Sequence, residues 1–167
     1  VPDVDPAGVL PTIGSKELVA WLPTLLGLGA GDLVVHPERA YPSYDVGARL
    51  AGATPVPADG TLQLGPDRTN VKLVWVNSPS NPTGKVLPVE HLAKVVAWAR
   101  SVGAVVASDE CYAELGWDVE EVPSILDPRV CGGSHEGLLA VYSMSKQSNL
   151  AGYRAAFVAG DLALVTQ

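Results

Sequence analysis

Apolar positions along this chain fall into runs of two kinds. Leu18, Val19, Leu22, Leu25 and Leu26 recur at helical spacing and predict a helix over residues 15–28. Pro23 is expected to kink or interrupt it, because a proline inside a helix removes an N–H donor and crowds the preceding turn. A second helix is predicted over residues 43–51, with Gly52 as its stop. Residues 88–102 give the clearest helical pattern, with Pro88 in the first turn, Glu90 near the positive end, and Leu92, Val95, Val96 and Trp98 on one side. Between these lie short apolar runs at 32–36, 53–57, 71–76, 104–107, 138–142 and 154–159, the pattern of strands covered on both faces. A further helix begins after Gly160. Such alternation predicts an α/β fold, a mostly parallel sheet flanked by helices. The link from Tyr142 to Arg154 is too short for a full crossover helix, so the last strand is expected to run antiparallel or to follow an irregular loop. Residues 59–70 and 120–137 are the expected surface loops.

Composition narrows the classes. A chain of 167 residues with 47% hydrophobic and 17% charged residues can bury a core and is not disordered. Its net charge of -7 leaves no surplus of cations for neutralising phosphates, which argues against a nucleic-acid binder. No apolar run reaches the ~18 residues of a membrane span. No basic, then apolar, leader opens the chain. Cys111 and Cys131 have no metal-binding spacing and read as reduced thiols of a cytoplasmic protein; His36, His91 and His135 are scattered, so no metal site is expected. The chain opens on Val1, and its last residues begin a helix. It is expected to be an internal piece of a longer protein.

The polar residues that carry chemistry cluster where strands end. Asn77 to Gly84, Ser108-Asp109 and Ser143 to Lys146 each follow a predicted strand. In open α/β sheets, ligands bind beyond the carboxyl ends of strands, so three such segments can converge on one ligand. Each has a plainer reading when taken singly. Asn81-Pro82-Thr83-Gly84 is a favourable turn. Asp109 suits a turn or a helix cap. An isolated Lys146 suits a solvated surface. Ser15, in Gly14-Ser15-Lys16-Glu17, suits an ordinary N-cap, although the same helix start can hold an anion. Tyr41 suits a core, and Cys111 a packed small side chain.

Together these segments change the balance. Ser143-Met144-Ser145-Lys146, Arg154 eight residues on, Asn81-Pro82-Thr83-Gly84 and Asp109-Glu110-Cys111-Tyr112 resemble the pyridoxal-phosphate (PLP) site of the fold-type I aminotransferases, class I and II. The resemblance runs from Gly14 to Asp161 and implies the PLP-dependent transferase large domain. Residues 1–167 would be its central part, with the N-terminal arm and the C-terminal small domain absent. Ile13-Gly14-Ser15-Lys16-Glu17-Leu18, Asn77 to Gly84 and Ser148 to Arg154 are most similar to the succinyldiaminopimelate aminotransferases of the actinobacterial type.

By that resemblance, Lys146 binds the cofactor aldehyde and shuttles a proton. Asp109 holds the pyridine nitrogen protonated, and Tyr112 and Asn81 hydrogen-bond the phenolic oxygen. Tyr41 stacks on the ring. Ile13, Gly14, Ser15, Ser143 and Arg154 hold the phosphate. Glu110 has no cofactor role in this scheme. The implied reaction is transamination from glutamate to an oxo acid, N-succinyl-2-amino-6-oxopimelate, in lysine biosynthesis. The implied enzyme is a cytoplasmic homodimer, inactive as this isolated piece. A C–S β-lyase and a PLP-sensing regulator domain use the same visible residues and stay open. Ala155 departs from the family's usual glycine after the arginine, and its methyl is expected to crowd the phosphate loop slightly.

Overall fold

A computed structural model of the chain describes residues 4–60 and 68–167. Seven strands are present among the described residues: β1 (Val9–Ile13), β2 (Leu33–His36), β3 (Thr54–Pro57), β4 (Val71–Asn77), β5 (Val105–Asp109), β6 (Leu138–Ser143) and β7 (Ala155–Gly160). They form one sheet in the order β1-β7-β6-β5-β4-β2-β3. The run from β3 to β6 is parallel, while β7 lies antiparallel to both β6 and β1. The short link after β6 dictates this reversal: its register runs from Leu139 opposite Gly160 to Ser143 opposite Ala156.

The continuous apolar run of β4 serves two cores. Side chains alternate across a strand, so Val74 and Val76 face one side while Leu73 and Trp75 face the other. On the first side, Leu92, Val95, Val96 and Ala99 of α3 (Val89–Val102) pack against the sheet, joined by Val130 and Cys131 of α4 (Pro128–Cys131). On the second, Val19 and Leu22 of α1 (Ser15–Leu25) and Tyr44 and Ala48 of α2 (Ser43–Leu50) do the same. Burial of each large apolar side chain contributes about 1.5–3 kcal/mol, which makes these two layers the frame on which the strand ends are held.

Several elements differ from their sequence expectation. β1 was not anticipated: Val9, Leu10 and Ile13 are exposed, Pro11 interrupts the run, and the strand forms a sheet edge where a proline is tolerated. Helix α1 passes through Pro23 and stops at Leu25, three residues earlier than expected, where Gly27 takes φ 72°. The region 120–137 contains α4 as well as loop. Part of the expected loop at 59–70 lies outside the described residues. Strands β4, β5 and β6 extend past their apolar runs to end on Asn77, Asp109 and Ser143, and Asn77 lies directly opposite Asp109. Arg154 precedes β7 and adopts a left-handed backbone at φ 53°. Ala155 has no such constraint and pairs with Ile13 as an ordinary strand residue. No helix of the described residues is long and apolar enough to cross a membrane.

Candidate active site

Asp109 closes β5 and is almost fully buried. A buried carboxylate needs donors, and it has them. The Tyr44 hydroxyl donates to Oδ2 at 2.8 Å, and the Cys111 N–H donates to Oδ1 at 3.2 Å. Tyr44 is itself completely enclosed. It stacks on Trp75 with ring centroids 5.0 Å apart, and Tyr41 meets it edge-on at 6.3 Å. Burial first, and then the charge of Asp109, push the Tyr44 hydroxyl far above the usual tyrosine range, so it stays protonated and donating. Tyr112 is raised in the same way, by burial and then by Asp109. The Cys111 thiol is also pushed up by burial and Asp109, and it donates to the Ser15 hydroxyl at 3.2 Å. It remains a packed thiol.

Asn77 ties the loop after β4 to this centre. Its Nδ2 donates to the Asp109 carbonyl at 2.8 Å, and its Oδ1 accepts the Asn81 N–H at 2.7 Å. The loop backbone is thereby fixed, and the Asn81 carboxamide is left beside the cavity. Glu110 points elsewhere. It is buried and accepts from the Ile125 N–H at 2.8 Å and the Ser124 hydroxyl at 3.1 Å, anchoring the segment before α4; burial raises its pKa.

The opposite end of the site is an anion cradle. The N-terminus of α1 brings Ser15 and Lys16, with free N–H groups and a positive dipole end. The Ser143 hydroxyl caps α5 (Met144–Gln147), accepting the Ser145 N–H at 3.1 Å and bonding the Ser145 hydroxyl at 2.9 Å. Arg154 reaches across to Gly14. A Cβ on Gly14 would come within 2.1 Å of the Arg154 Nη2, and Gly14 also has φ 74°. Only glycine accommodates both. Gly14→Ala is therefore expected to lose about 1–3 kcal/mol of stability from backbone strain and to displace the guanidinium. Denaturant unfolding of the full-length protein measures the first, and weakened phosphate or PLP binding the second.

Lys146 follows from β6 through α5. It is exposed in this chain, and its Nζ lies 6.0 Å above the Tyr112 ring centroid.

One cavity of about 240 Å³ gathers these groups: Ser15, Lys16, Tyr41, Tyr44, Asn77, Asn81, Asp109, Tyr112, Ser143, Ser145, Lys146 and Arg154 all line it. Ile13 and Gly14 do not. Ile13 ends β1 with its side chain exposed, and the Gly14 N–H is already donated to the Thr12 carbonyl at 2.9 Å. Tyr44 and Lys16 were not anticipated as site residues, while Asn77 and Ser145 lay inside candidate segments without a role of their own. Tyr44 follows Tyr41 by three positions, a spacing that marks neighbours at a helix start and was the available signal.

The sequence matches the profile of the aminotransferase class I and II family over residues 2–167. The chain belongs to this family. Members are PLP-dependent transferases. A Mycobacterium tuberculosis protein described as "Probable aminotransferase Rv1178" is 65% identical over 161 residues, which cover 96% of this chain and 38% of that protein. The 4-dedimethylamino-4-oxo-anhydrotetracycline transaminase OxyQ of Streptomyces rimosus is 60% identical over 162 residues, 97% of this chain and 44% of the other. Among solved structures, N-succinyldiaminopimelate aminotransferase of M. tuberculosis superposes with a TM-score of 0.86 at 28% identity, covering 98% of this chain and 45% of that one. The chain thus spans about two fifths of the length of the curated relatives it matches.

The donor set of the cavity fits PLP. It offers a buried carboxylate for a protonated ring nitrogen, an amine for the aldehyde, and hydroxyls, a guanidinium and a helix N-terminus for the phosphate.

Proposed function

We propose that the full-length protein transfers an amino group from glutamate to an oxo acid with PLP, and that the acceptor is N-succinyl-2-amino-6-oxopimelate, on the route to lysine. The observation that carries the cofactor is the convergence of Asp109, Lys146 and Arg154 on one cavity from the ends of separate strands, and membership of the aminotransferase family supports transamination with it. The structural likeness to a succinyldiaminopimelate aminotransferase supports the acceptor. In the same proposal, residues 1–167 supply the central part of the cofactor domain of a cytoplasmic homodimer. An N-terminal arm and a small domain elsewhere in the polypeptide complete it.

When bound, PLP supplies an electron sink for the pair left as the substrate Cα loses its proton. Asp109 would keep the ring-nitrogen proton in place, and Tyr44 holds the Asp109 carboxylate by donating to it. Asn81 and Tyr112 would hydrogen-bond the cofactor's phenolic oxygen, and Tyr41 would cover its ring. Ser15, Ser143, Ser145 and Arg154 would hold its phosphate, and glycine at position 14 leaves room for the arginine. Lys146 would hold the cofactor through its aldehyde and, once the substrate amine had displaced it, its freed amine would carry the proton taken from the substrate Cα.

Tyr44→Phe tests the support of Asp109. It removes one donor from a buried carboxylate with little change of shape. Its expected effect is a loss of kcat of about tenfold or more, the scale of a hydrogen bond to a charged group, with PLP still bound. Unchanged kcat would show that Tyr44 only fills space.

Substrate choice is tested by offering the full-length protein glutamate with different acceptors and following 2-oxoglutarate. Faster turnover with N-succinyl-2-amino-6-oxopimelate than with pyruvate or oxaloacetate is expected. Equal rates would refute the acceptor. Release of pyruvate and ammonia from cysteine conjugates without 2-oxoglutarate formation would refute transamination and favour a C–S lyase.

A further inference from the structure

We infer that Glu17 is a positioning residue for the cofactor phosphate: its carboxylate fixes the Arg154 guanidinium over Gly14, ready to receive a phosphate. The inference rests on the PLP function proposed above.

Two contacts hold the arginine. Its Nη2 donates to Glu17 Oε2 at 2.7 Å, and its Nη1 donates to the Ala151 carbonyl at 3.0 Å. Together they fix the plane of a group that is otherwise mobile. The backbone helps, since Arg154 at φ 53° directs its side chain back across the start of α1. The guanidinium then lies against the Gly14 backbone, where no other residue leaves room for it.

A guanidinium carries five N–H donors. The contacts to Glu17 and Ala151 use two of them, so Arg154 need not release Glu17 to bind a phosphate. Charge gives Glu17 a second task. A cation beside the positive end of α1 is unfavourable, and a carboxylate in the first turn offsets it. The hydrogen bond from Arg154 is the main cause that holds the Glu17 carboxyl below its usual range. Glu17 therefore stays ionised at neutral pH, and the pair persists.

The rival reading is that Glu17 stands in for the phosphate and must be displaced. The two readings predict opposite signs for PLP affinity. The test titrates full-length wild type, Glu17→Gln and Glu17→Ala with PLP and with pyridoxal, which lacks the phosphate, following the change in cofactor absorption. Thermal melts of the unloaded proteins are run alongside. Glu17→Ala is expected to weaken PLP binding about 3- to 5-fold, the scale of a solvent-exposed ion pair. Glu17→Gln, which keeps an acceptor, should fall between it and wild type. Pyridoxal affinity should be unchanged, and the melting temperature should fall by no more than a few degrees, about what losing one surface ion pair costs. Tighter PLP binding by the variants would establish the competitor reading and overturn the inference. So would equal loss for both ligands, which would mark a structural role, or no change for either. A wild-type protein that binds no PLP would instead overturn the function on which the inference stands.

Discussion

Replacing Lys146 with alanine in the full-length protein is expected to lower kcat by about 10⁴-fold or more, because in the proposed mechanism one side chain would supply both the covalent attachment and the proton transfer. The loss should be specific to chemistry. Lys146 is exposed, and its described contact is the face of the Tyr112 ring at 6.0 Å. Stability should therefore stay within about 0.5 kcal/mol of wild type, the usual range for a surface substitution. Single-turnover kinetics with glutamate, together with a thermal melt, measure both parts. A variant within about tenfold of the wild-type rate would remove Lys146 from the proton transfer.

Asp109→Asn is expected to retain the fold and the cofactor but to lose about 10²-fold or more in kcat. The surrounding donors explain why an amide is tolerated. The Cys111 N–H can only donate, so the amide oxygen must face it. The amide NH₂ then faces Tyr44, whose hydroxyl can rotate to accept. What an amide cannot do is hold a proton on the ring nitrogen by charge. The effects of Asp109→Asn and Tyr44→Phe should consequently be non-additive, since the tyrosine acts only through the carboxylate. Steady-state kinetics of the double mutant check this. A double mutant that multiplies the two single losses would show that Tyr44 works by another route.

The layered α/β frame was legible because its strands are nearly continuous apolar runs and its helices carry apolar stripes. Residues 71–76 and 88–102 show this directly, and they reappear as β4 and α3. The antiparallel β7 was one of the two readings that the short connection left open. β1 was not, because an edge strand with exposed Val9, Leu10 and Ile13 and an internal proline has no face that must alternate. Its place is set by pairing with β7, a tertiary fact. The continuation of α1 through Pro23 is similar. Pro23 is buried, so packing against the sheet offsets the lost hydrogen bond.

Among site residues, those with distinctive chemistry at strand ends were visible: Lys146, Asp109, Asn81 and Arg154. Those that act through others were hidden. Tyr44 read as one more residue of a helix. Asn77 opened a candidate segment without a role of its own, and Ser145 looked like a neighbour of Ser143. Their functions come from what the fold sets beside them, namely the Asp109 carboxylate, the Asp109 carbonyl and the Ser143 hydroxyl. Glu17 shows the same limit most clearly, since its partner Arg154 is remote in sequence and adjacent only in space.

The central claim is that this cavity binds PLP through Lys146. Two lysines, Lys16 and Lys146, line the cavity among its described residues, so the claim has a concrete competitor. Full-length protein loaded with PLP is reduced with borohydride, which makes the cofactor–lysine bond permanent, then digested and mapped by mass spectrometry. The account predicts a pyridoxyl group on Lys146; a label on Lys16, or on a lysine outside the cavity such as Lys85 or Lys94, would contradict it.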